Sequence, residues 1–191
     1  MGRVKILSID PSIENIGVAI LDGNKLIESY TLHTNPLKPL SDRIKKITQH
    51  FRELALSTEF NTVLIEYPDS FVRGGEYSKF TGTSYLKNVK SIQLLMLSIG
   101  VIASAMIEYC EINFVSVKDW KGSTDKKITQ FVAQQECGKE LNTHEADAFI
   151  MAIQWNRSVK FKHMIREQTK NEKKSKSRAS QKSKRTRKSQ V

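Results

Sequence analysis

The chain opens on short apolar runs separated by polar turns. Residues 4–9 are mostly apolar and β-branched, the pattern of a strand buried on at least one face. The run ends on Asp10, and Pro11, which cannot donate a ladder hydrogen bond, follows at once. A second apolar run, 16–21, implies an antiparallel hairpin, with Gly17 permitting an unusual backbone angle or a close approach. Asp22-Gly23-Asn24 predicts another turn and 25–34 a third strand. After a connection holding Pro36 and Pro39, Ser41 is expected to cap a helix over 42–56, with Ile44, Ile47, Phe51, Leu54 and Ala55 at helical spacing. Residues 62–67 predict a fourth strand with Glu66 at its end, before Pro68.

Residues 69–83 are polar and carry three glycines with Phe71, Tyr77 and Phe80, which predicts a loop. A long helix is expected over 84–109. Its uncharged stretch 91–107 is slightly short for a bilayer span and suits burial in a core or a dimer interface, so no membrane association is expected. A fifth strand (112–118), a loop with Gly122, and a helix from Thr124 or Asp125 to Cys137 follow. A last helix is expected over 143–157, capped by Asn142 or Thr143 and with Glu145 in its first turn. The order β-β-β-α-β-α-β-α-α predicts an α/β fold: a meander extended by parallel strands into one mixed five-stranded sheet with helices on both faces.

Composition changes this picture only at the C-terminus. Residues 157–191 hold 14 Lys and Arg against two acids, whereas residues 1–156 hold 17 against 18, so the net charge of +11 belongs to the tail. The expected organisation is a folded domain over 1–158 and a basic, disordered tail over 159–191. Cys110 and Cys137 have no metal-ligand spacing and are expected as reduced thiols. The first residues lack the pattern of a secretion signal, and a cytoplasmic location is expected.

The chemistry collects in the acids. Asp10 and Glu66 each end a strand, and in a ribonuclease-H-like order those strands are neighbours. His144 and Asp147, three residues apart, share one face of the last helix. Carboxylates converging at one rim repel each other unless a cation sits among them, which points to a hard divalent metal. Taken singly, each acid reads as a solvated strand end or a first-turn helix acid; their joint placement is the informative feature.

Ile9-Asp10-Pro11-Ser12 with Gly17-Val18-Ala19, then Ile65-Glu66, then His144-Glu145-Ala146-Asp147-Ala148, resembles the RuvC family of Holliday-junction resolvases over residues 4–156. The resemblance implies a ribonuclease-H-like fold, a homodimer with one metal site per subunit, and Asp10, Glu66, His144 and Asp147 as catalytic and metal-binding residues. His144 stands where many members have an aspartate, and Glu145 is expected to point off the catalytic face. Two Mg²⁺ per site are implied, with Mn²⁺ as the alternative. Lys118, Lys121 and either Lys126 or Lys127 resemble the family's DNA-contact lysines, where they would hold backbone phosphates. Phe71 is the candidate for the aromatic that wedges into the junction centre. The long apolar helix resembles the dimer helix. The basic tail departs from compact members and suits sequence-independent DNA contact.

The implied activity is Mg²⁺-dependent cleavage of four-way and other branched DNA. The short length and the His-x-x-Asp ending resemble bacteriophage members, which would place the protein in a host cell's cytoplasm. A branched-DNA-binding architectural protein with weak or no cleavage and a ribosomal-RNA-processing nuclease of the same fold are the competing expectations. No helicase partner follows from the residues.

Overall fold

A computed structural model describes residues 5–68, 82–121 and 124–158, with the side chains of 82–88 set aside. Residues 1–154 form one compact unit; of the second unit, 155–191, residues 155–158 are described and are helical. Phe71, Tyr77, Phe80, Gly122 and the tail 159–191 lie outside the described residues.

Strands β1 (Lys5–Asp10), β2 (Asn15–Asp22) and β3 (Lys25–His33) form the expected meander. Helix α1 (Leu40–Ser57) leads to β4 (Thr62–Tyr67), which pairs parallel with β1, and α2 (Gly82–Met106) leads to β5 (Ile112–Ser116), parallel with β4. The sheet order is β3-β2-β1-β4-β5, the ribonuclease-H-like arrangement. Helices α3 (Val117–Trp120), α4 (Lys126–Cys137) and α5 (143–158) complete the described chain.

Alternation along the strands builds two different faces. Leu7, Ile9, Val18, Ile20, Val63 and Ile65 share a face with Ile47 and Phe51 of α1 and Ile99, Ile102 and Met106 of α2. The opposite face carries Ser8 and Asp10 of β1 beside their register partners Ala19 and Gly17 of β2. Those small residues form a floor close enough to the backbone to seat a helix. A Cβ built on Gly17 would collide with the carbonyl carbon and oxygen of His144, so α5 lies directly on β2 there. Gly17 is therefore a close-approach glycine; among the described residues the positive-φ glycines are Gly23 and Gly138.

Three local expectations give way, at the start of α1 and at the ends of α2 and β5. Ser41 lies inside α1, whose N-cap is Pro39 with no side-chain cap; proline with its fixed φ serves as the helix entry instead. Helix α2 stops at Met106 because the amides of Tyr109 and Cys110 both turn back to the Met106 carbonyl. Strand β5 stops at Ser116, whose hydroxyl accepts from the Lys118 amide and starts α3, so Lys118 is helical. Asp125 caps α4 by accepting from the Lys127 amide, and Gly138 closes it in the left-handed region. Cys110 and Cys137 are both thiols.

The stretch Val89–Met106 is long and apolar enough to cross a membrane by length and composition, and 28% of it is buried. Its Ile99, Ile102, Ala105 and Met106 lie in the core against α1 and the sheet, as a core helix requires.

Candidate functional site

Two neighbouring strands deliver the first two acids. Ile9 of β1 pairs with Ile65 of β4, so Asp10 and Glu66, one residue on, emerge side by side on the small-residue face. Helix α5 supplies the rest. Its start is fixed by Asn142, whose side-chain oxygen accepts from the amides of His144 and Glu145 at 3.0 Å each. In the first turn His144 Nδ1 lies 2.7 Å from Asp10 Oδ2, and one turn on Asp147, nearly buried, faces the same rim.

The groups perturb one another. Burial pushes the Glu66 carboxyl up to about 8, helped by the charges of Asp10 and Asp147 and opposed by Lys121. Burial also raises Asp10, against the hydrogen bond and charge of His144. His144 is raised chiefly by its hydrogen bond to Asp10, against its own partial burial. The three carboxylates thus feel each other across the rim.

The cations are arranged unequally. Lys121 Nζ donates to both carboxylate oxygens of Asp147, at 2.7 and 2.8 Å. Of the paired lysines at the start of α4, Lys126 is the one whose charge reaches Asp10 and His144. Lys118 is exposed on α3. The indole N–H of Trp120 is buried without a hydrogen-bond partner within normal distance, yet it lies near enough to favour the charged form of Glu66.

The loop after Asp10 is braced from three sides, which keeps the carboxylate from drifting. Ser12 Oγ accepts from the amides of Glu14 and Asn15. Buried Arg43 of α1 donates to the Ile13 carbonyl and to Thr34, each at 3.0 Å. Ser98 of α2 donates to the Ser12 carbonyl at 2.7 Å.

Glu145 points off the acidic rim, as expected, but it is not idle. Its carboxylate accepts from Ser29 (3.2 Å) and Thr31 (3.4 Å) of β3 and from the Asn142 amide. It thereby ties the first turn of α5 to the far side of the hairpin. Glu145→Ala should destabilise the fold by about 1–3 kcal/mol through the donors it strands. Urea midpoints with an unchanged denaturant slope would check this; an unaltered midpoint would remove the tether. Sequence spacing identified Glu145 as a first-turn acid, but its partners on β3 lie more than a hundred positions away.

As the side chains stand, no three His, Cys, Asp or Glu among the described residues are gathered tightly enough to hold a metal ion. The residues nevertheless fit a hard divalent cation. Oxygen donors come from three elements, the charges of the acidic neighbours raise the proton affinity of Asp10 and Glu66, and Asp147 already holds a cation, the Lys121 ammonium, as a stand-in.

No family model matches the sequence, and no curated protein matches it. Among solved structures, RuvC of T. thermophilus in complex with a Holliday junction substrate superposes with a TM-score of 0.61 at 16% identity, covering 79% of this chain and 91% of that one. A second Thermus thermophilus RuvC structure superposes with a TM-score of 0.56 at 16% identity, covering 79% and 92%. The chain has the fold of these proteins, a mixed five-stranded sheet with helices on both faces.

Proposed function

We propose that the chain is a metal-dependent endodeoxyribonuclease that resolves Holliday junctions and related branched DNA. The observation that carries this reading is the convergence of Asp10, Glu66, His144 and Asp147 at one rim of a RuvC-like fold, with Glu66 driven up to about 8 by burial and its acidic neighbours. A site that disfavours its own charges gains most from a divalent cation, with Mg²⁺ the expected ion. When bound, such an ion would supply Lewis-acid activation of water and stabilisation of negative charge on a phosphodiester.

The chain's own residues would hold and orient. Asp10 and Glu66 from the sheet and Asp147 from α5 would hold the ion. Asp10 sets the His144 ring through Nδ1, leaving Nε2 as the nitrogen that can take a proton from water. Lys118, Lys126 or Lys127, and the basic tail would engage backbone phosphates, with an affinity that falls steeply with salt. Phe71 would stack on unpaired bases. A homodimer through α2 would set two such sites on symmetric strands, and the incomplete burial of Val89–Met106 supports that surface.

Purified full-length protein incubated with an end-labelled four-way junction should produce paired nicks with Mg²⁺ and none with EDTA. Shifted bands without nicks would instead favour an architectural binder. Cleavage restricted to structured ribosomal RNA would move the reading to an RNA-processing nuclease.

A further inference from the structure

We infer that Trp120 is a positioning residue for Glu66: its buried indole N–H is the donor that holds this carboxylate in place when the site takes up divalent metal. This rests on the metal-dependent reading above and adds a supporting partner that the acidic motifs do not contain.

An indole has one donor and no acceptor, and a buried donor left without a partner costs about 1–3 kcal/mol. Trp120 is only 8% exposed, and its Nε1 has no acceptor at bonding distance. Among the described residues, the other buried side-chain polar atom without a partner is Ser8 Oγ. A hydroxyl turns to suit its surroundings, whereas an indole N–H is aimed by the ring that bears it. The Trp120 ring is fixed from two directions. Ser116 caps α3 and starts it where β5 runs out beside β4, because Glu66 pairs with Val115 and Tyr67 with Ser116. The Lys121 ammonium, 5.2 Å from the ring centre, ties the same helix end to both oxygens of Asp147.

The ring therefore stands at the acidic rim, with Glu66 just beyond hydrogen-bond contact of its N–H. Burial and the charges of Asp10 and Asp147 work against a charged Glu66, and Lys121 and the Trp120 N–H favour it. To hold a divalent ion Glu66 must be charged and oriented, and a charged acceptor is the one an N–H binds most strongly. Residues that ligate metals are ordinarily steadied by such outer partners, and removing one costs about 10–100-fold in metal affinity. Asp10 has its partner in His144 and Asp147 in Lys121. Trp120 offers Glu66 the corresponding contact, from a donor that nothing else engages.

The chain has two tryptophans, Trp120 and Trp155, so ¹⁵N-labelled full-length protein without DNA gives two indole N–H resonances, assigned by replacing either one with Phe. On saturation with Mg²⁺ the Trp120 resonance of the wild type should move downfield, the direction of a closing hydrogen bond. Trp120→Phe keeps an aromatic ring and loses the donor, and should weaken Mn²⁺ binding, followed by electron paramagnetic resonance, about tenfold. In a Glu66→Asp background, where the shorter acid withdraws from the indole, the same substitution should change nothing. A ring that merely packs would weaken binding equally in both backgrounds. That equal loss, a stationary Trp120 resonance at saturating Mg²⁺, or wild-type Mn²⁺ affinity in Trp120→Phe would overturn the Trp120 assignment and leave the metal site standing. Absence of Mn²⁺ binding to the wild type would overturn both.

Discussion

Glu66→Gln is expected to abolish the proposed junction cleavage and, in metal-free protein, to raise stability at alkaline pH. The loss of activity follows from removing one of the oxygens that would hold the ion; losing several kcal/mol of transition-state stabilisation is on the order of a thousandfold in rate. The gain in stability has the opposite origin. Burial and the charges of Asp10 and Asp147 raise Glu66 from its ordinary 4.5 to about 8. The folded chain therefore keeps a proton on Glu66 that the unfolded chain gives up above pH 4.5, so folding stability is full below that value and falls as pH rises through about 8. Glutamine carries no such charge. The advantage of the variant should be absent near pH 4, grow between pH 5 and 8, and reach a few kcal/mol at its maximum. Added Mg²⁺ should restore wild type and leave the variant unmoved. Thermal melts in EDTA at pH 5 and pH 8.5 are the measurement; parallel pH profiles for the two proteins would show that Glu66 is not strained by its neighbours.

Gly17→Ala is expected to lift α5 from the sheet and to disturb the site without touching a candidate ligand. The added methyl would overlap the backbone carbonyl of His144, which no rotamer change can clear, so the helix itself must move. Overpacking of this kind costs about 1–3 kcal/mol. The larger effect is on geometry. His144 and Asp147 ride on α5 while Asp10 and Glu66 ride on the sheet, so a shift of about 1 Å between them is expected to lower cleavage about a hundredfold. Junction binding, for which the proposed contact lysines lie on other elements, should survive in a gel-shift assay. A Gly17→Ala protein with wild-type nicking and an unchanged urea midpoint would mean that the helix is not seated as described.

The Glu66 and Gly17 effects differ in how far the sequence foretells them. The acid pair was legible because a strand ending on a carboxylate is a local pattern: apolar alternation places β1 and β4, and the resemblance places them side by side. The same periodicity located four of the five strands to within one residue at their ends. It missed the end of β5, where a serine hydroxyl captured the Lys118 amide, and the cap of α1, where Pro39 took the place expected of Ser41. Both are contests between neighbouring residues of nearly equal preference, which hydrophobic pattern does not arbitrate.

Lys121 marks the boundary most clearly. From its neighbours it reads as one more phosphate-binding lysine in a basic stretch, and only the packing of α3 beside α5 sets its ammonium against a carboxylate 26 positions away. His144 and Asp10 are 134 positions apart, and Glu145 and Ser29 are 116 apart. By itself the sequence determined the strands, the helices, the acids that end or open them and the basic tail, because periodicity, caps and turns act over a few residues. The tertiary structure alone decided which cation faces which anion and how closely α5 may lie on β2. Those outcomes depend on distances between elements, and such distances are set by the volumes packed between them.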